Sequence, residues 1–134
     1  MVVIAVAAYA WQGLQGSATA PGTHDDADKI VAAFEAQRSD QWVQSGGIVE
    51  RTLKDDDEGS RHQRFIVRLR NGHSVLIAHK IDLAPRVPLA RGDRVRFRGE
   101  FEWNNKGGVV HWTHHDPKRR IEGGWIEFDG ETFK

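Results

Sequence analysis

From Gln41 onward, apolar residues recur at every second position in short runs broken by glycine turns, the pattern of half-buried strands. Trp42 to Leu53 is predicted as the first strand, bent by a bulge or sharp coil at Gly46-Gly47. His62 to Leu69 follows, with Phe65, Val67 and Leu69 alternating against Arg64, Ile66 and Arg68. Asn71-Gly72 supplies the positive φ angles of a tight hairpin into Ser74 to His79. Pro85 and Pro88 forbid a long helix in the crossover from Ile81 to Arg91. After the Arg91-Gly92-Asp93 turn, Val95, Phe97 and Phe101 alternate with Arg94, Arg96, Arg98 and Glu100. Val109 to His114 is predicted as the fifth strand, behind a loop from Asn104 to Gly108, and a last hairpin turns at Asp129-Gly130. Three strands, a crossover and two more strands is the order of an OB-fold, a small five-stranded barrel, so the fold class is all-β.

Before Gln41 the period changes. Ala27, Ile30, Val31 and Phe34 stand at helical spacing behind a Thr23–Asp26 capping pattern, which predicts one amphipathic helix of about four turns ending at Ser39-Asp40. Residues 1–20 differ again. Met1 to Trp11 is an apolar run of eleven residues, about half of what a helix needs to cross a bilayer. The small residues behind it suit a signal peptidase, best after Ala18, since Pro21 hinders a cut after Ala20. The same run lacks a basic start and also reads as an apolar element of the fold. The division expected is therefore 1–20 signal-like, 21–40 helix and 41–134 barrel, with export to the periplasm or envelope.

The chain has 134 residues, which fits one domain. Hydrophobic residues at 39% and charged residues at 28% exclude a disordered or polytopic membrane protein. Without cysteine, disulfides, thiolate metal sites and cysteine nucleophiles are excluded, leaving histidine and carboxylate as metal ligands. Basic and acidic residues balance at 19 each, but residues 61–100 hold 10 basic against 3 acidic. That segment is either a solvated face paired with acids elsewhere or a surface for anions.

The stretches RHQRFIVRL (61–69), LIAHKIDLAPR (76–86), GDRVRFRGEFEWNNKGGVVHWTHHDP (92–117) and GGWIEF (123–128) resemble a bacterial family known as domain of unknown function 3465. The resemblance implies small exported or lipid-facing proteins and an asparagine where this chain has Lys80, and it implies no catalytic residue.

Candidate chemistry comes from histidine and arginine. A divalent metal held by His62, His79, His111 and His115 is one expectation, although His111 and His115 in one strand would stand about 13 Å apart at a rise of roughly 3.3 Å per residue. A hydrolase or nuclease using His79, His111 and His115, with arginine steadying the developing anion, is a second. Against both, His79 and His111 read as residues that close the barrel mouth by hydrogen bonding. The leading expectation is a binding module for an anionic or nucleic-acid-like ligand, held by His62, Arg64, Arg68, Arg94 and Arg96 with Trp103, Asn105 and Lys106 from the loop after the fourth strand. Trp103 is expected to be exposed, whereas Trp42, Trp112 and Trp125 are assigned to the core. The acidic run Asp55 to Glu58 would repel a polyanion at the rim. An interaction domain in the envelope is the remaining reading.

Overall fold

A computed structural model describes residues 24–134. The signal-like segment expected at residues 1–20 lies outside the described residues. Helix α1 (Ala27–Glu35) is followed by seven strands: β1 (Gln41–Asp56), β2 (His62–Leu69), β3 (Ser74–Lys80), β4 (Arg94–Glu102), β5 (Val109–His111), β6 (Trp125–Phe128) and β7 (Glu131–Phe133). They form one sheet in the order β1-β2-β3-β5-β4-β6-β7, and an added β1–β4 pairing closes the first five into a ring. All neighbours are antiparallel except β3 and β5, which run parallel. The ring is consistent with the OB-fold-like barrel expected from the strand order.

Alternation decides what faces inward. Phe65 and Val67 of β2, Val75 and Ile77 of β3, and Val95, Phe97 and Phe101 of β4 are buried in a core shared with Val43, Val49, Val110 and Ile126. Strand β1 serves two neighbours: Gln41–Ile48 pairs with β4 and Gly47–Asp56 with β2. The changeover falls at Gly46-Gly47, where the chain needs room instead of an extra residue. A Cβ on Gly47 would sit 2.2 Å from the carbonyl oxygen of Arg68. The register shifts lie further on, between Val49 and Arg51 and between Leu53 and Asp56, so the predicted bend is there but the bulges are displaced.

The helix is shorter than its sequence pattern suggests, nine residues, and Asp26 makes no side-chain cap to it. That carboxylate instead accepts the Gln44 backbone N–H at 2.8 Å, and Asp25 accepts the Ala27 N–H at 2.8 Å. At the other end Gln37 turns left-handed (φ 53°) while Arg38 N–H bonds Ala33 O, which stops the helix before Ser39. The β2–β3 turn also differs: only Gly72 has a positive φ, and its N–H closes onto Leu69 O. The last hairpin does carry two, Asp129 at 53° and Gly130 at 80°. Strand β5 stops at His111 because Trp112 adopts φ 57°.

The crossover after β3 contains no helix and is held by side chains from the barrel. Gln63 clamps both backbone groups of Val87, at 2.8 and 2.9 Å. His79 accepts from the Thr113 hydroxyl at Nδ1 (2.7 Å) and donates from Nε2 to Pro85 O (2.9 Å). No helix among the described residues is long and apolar enough to cross a membrane.

Candidate functional site: an arginine groove and a histidine groove

The bend in β1 brings the arginines of two strands together. Ile48 pairs with Arg68 on one side and Arg94 on the other, and Gly46 pairs with Arg96. Paired residues share a face, so Arg68, Arg94 and Arg96 point outward together with Ile48, and Gly46 adds no side chain beside Arg96. A groove of about 880 Å³ lies there, walled on one side by Glu127 to Gly130 of the last hairpin.

The charges around this groove are unequally spent. Arg70 is taken by the helix, 2.9 Å from Asp25 and 3.1 Å from Asp28. Burial raises the Asp25 pKa, but bonds from Ala27, Ser45 and Arg70 outweigh it and hold the carboxyl below its usual range. Arg68 stands 3.4 Å from Glu50, and Arg96 is 4.0 Å from Glu127 while also donating to the His24 carbonyl. Such exposed pairs are weak and exchange readily with a ligand. Arg94 makes no ion pair or side-chain hydrogen bond among the described residues. Arg64 stands apart and donates to Lys54 O.

The loop residues Trp103, Asn105 and Lys106 do not line this groove. Trp103 is packed against the core and its backbone N–H donates to Ser39 Oγ, so it is not the exposed platform expected. Conversely, Trp42, Trp112 and Trp125 are half-buried, not core. Trp42 points outward beneath Arg98, whose guanidinium carbon lies 5.0 Å from the ring centre. The acidic run at the end of β1 is partly neutralised: Asp57 lies 3.1 Å from Arg61, and Asp55 pairs with Arg86.

The histidines are dispersed. His79 is fully buried with both ring nitrogens bonded inside the barrel, and burial, aided by nearby His114 and His62, lowers its pKa. His115 is exposed beyond the end of β5. His62 and His111 border a second groove of about 360 Å³, with Lys80, Trp112, His114 and Asp116. His111 Nε2 lies 3.1 Å from Glu102 and 3.5 Å from Glu100. These three form the one group found among the described residues whose ligand atoms all lie within 4.8 Å, and they offer two carboxylates and an imidazole to a cation. Burial raises the Glu100 carboxyl; His111 opposes this, and Asp40 and Glu102 add to it. The set contains one of the four histidines expected at a metal. Its carboxylates come from β4, whose alternating arginines are the stronger signal in the sequence.

Two further residues order the chain after β5, and Asp116-Pro117 is the turn starter that its residue types suggest. His114 is buried, its Nδ1–H donates to His115 O at 2.7 Å, and burial lowers its pKa. Asp116 accepts the backbone N–H groups of Lys118, Arg120 and Ile121, which makes it the organiser of its turn.

The fold and its grooves define a small all-β barrel whose outer wall carries basic side chains. Residues 13–134 match the profile of the protein family of unknown function DUF3465, and the chain belongs to that family. No curated protein matches it.

Proposed function

We propose that the barrel is a binding module for a phosphate-bearing, nucleic-acid-like anion seated in the arginine groove. The supporting observation is the row Arg68–Ile48–Arg94 with Arg96 beside it over Gly46, in which Arg94 has no carboxylate partner among the described residues. Guanidinium groups on the two strands that flank β1 offer paired donors to phosphate oxygens, and Gly46 adds no side chain beneath them. The hydrolase reading on His79, His111 and His115 gains no comparable support, because both His79 nitrogens are engaged within the barrel.

Anisotropy of a labelled single-stranded oligonucleotide, titrated in chelator at several salt concentrations, tests the proposal. Affinity falls as salt rises, and Arg94→Ala lowers it while reducing the salt slope by about one. Absence of salt-dependent binding, or an Arg94→Ala protein that binds as well as the parent, overturns it. Export belongs to the same proposal and rests on the apolar run Met1–Trp11 and on Ala18. Protein recovered from a periplasmic fraction should begin at Thr19; recovery of uncut chain in the cytoplasm refutes that part.

A further inference from the structure

The histidine groove has properties that the arginine groove does not explain. The indole N–H of Trp112, which lines it, is buried and has no hydrogen-bond partner among the described residues. Buried donors are almost always satisfied, so an acceptor from outside the chain is the natural complement. Trp112 also holds a left-handed backbone (φ 57°), unfavourable for a bulky residue and typical of positions where function dictates conformation. Its ring is fixed between Trp42 (centroids 5.7 Å) and His114, which stacks on it at 6.0 Å and 18°.

Charge at the groove points the same way. Lys80, Lys118 and Arg120 line it, and the two lysines make no ion pair among the described residues. Among the described residues the one carboxylate lining it is Asp116, whose oxygens are engaged by three backbone N–H groups, with Arg120 3.6 Å away. Glu100 and Glu102 stand behind His111 and face its ring, so an unpartnered N–H donor beside two unpaired lysines remains, an arrangement for an oxyanion.

We propose that this groove is a second anion site, separate from the arginine groove, in which the Trp112 indole N–H and the ammonium groups of Lys80 and Lys118 receive a small terminal oxyanion, a phosphoryl or carboxylate group. The oxyanion accepts the indole hydrogen bond and the lysines balance its charge. The volume of about 360 Å³ suits a single such group with a short stem.

The test is proton–nitrogen correlation NMR of the full chain with labelled tryptophan, which resolves five indole signals. Trp112→Phe identifies the relevant one; should that variant not fold, sequential assignment identifies the same signal. Inorganic phosphate and acetate are titrated separately at constant ionic strength set by chloride. The expected result is a saturable downfield shift of the Trp112 indole proton with at least one of them, weakened about five- to tenfold by Lys80→Gln. A response to phosphate alone identifies a phosphoryl ligand, and a response to acetate identifies a carboxylate. If the signal moves with neither anion, or drifts without saturating for both, the inference is overturned. Oligonucleotide anisotropy reports the arginine groove and the indole shift reports this one, so the two proposals fail separately.

Discussion

Acidification offers a sharp test of how His79 holds the barrel closed. Its Nε2 faces a carbonyl, which can only accept, so Nε2 carries the proton and Nδ1 is the acceptor of the Thr113 hydroxyl. Protonating Nδ1 would break that bond and place a charge in a fully buried site. The folded ring therefore titrates below the ordinary value of 6.5, while the unfolded ring titrates near it. Its contribution is fully present above that value and is lost as pH falls from there towards the folded pKa, because the unfolded chain binds the extra proton. At about one pH unit below the unfolded pKa, a ring that stays neutral in the folded state costs about 1.4 kcal/mol. His114 acts with the same sign. Urea unfolding between about pH 7.5 and 5.5 should thus show falling stability in the parent protein, and a decline smaller by at most about 1.4 kcal/mol in His79→Gln, whose amide keeps a donor for Pro85 but does not titrate. The acids held below their usual range act at lower pH, and Glu100, raised by burial, contributes alike to both proteins. Parallel declines in the two proteins would refute the neutral, doubly bonded ring.

Other outcomes follow from the same geometry. Gly47→Ala should destabilise by about 2 kcal/mol or more and lower Tm by nearly 10 °C, read by thermal unfolding, because the added Cβ meets the Arg68 carbonyl, which is fixed backbone. Asp25→Ala removes the acceptor of Ala27 N–H, Ser45 Oγ and Arg70 together, and should cost about 2 kcal/mol in urea. The lowered Asp25 pKa stabilises the fold above the ordinary 3.8 and ceases to do so as pH falls through the folded value, so the same variant should lose less stability on strong acidification. Titration with Mn²⁺ or Zn²⁺, followed by calorimetry, should show any heat at Glu100, Glu102 and His111 disappear in Glu102→Gln.

The strands were legible because alternation is a local property. His62–Leu69 and the arginine-lined β4 could be placed almost to the residue, since one face of each meets a packed core. The grooves were less legible because they depend on which strands become neighbours. Nothing in the spacing of Arg68 and Arg94 announces that Ile48 will stand between them. Trp112 was read as continuing a strand because aromatic and β-branched neighbours favour one, yet its left-handed φ redirects the chain and separates His111 from His114 and His115. Trp103 was expected outside because polar residues follow it, but Ser39 ties its backbone against the end of α1, a contact 64 positions apart in sequence. Tertiary pairing decided each of these cases, and single-chain patterns carry no record of it.

The double service of β1 bears on how the molecule opens. A strand that is the wall of both β2 and β4 leaves no half of the ring able to persist alone, since detaching it exposes the interior from both sides. Amide protons from Val43 through Val49 should therefore exchange with solvent in a single concerted event, at the rate of global opening. A protease acting on this chain would meet only two populations, intact rings and extended polypeptide, with no nicked half-barrel between them.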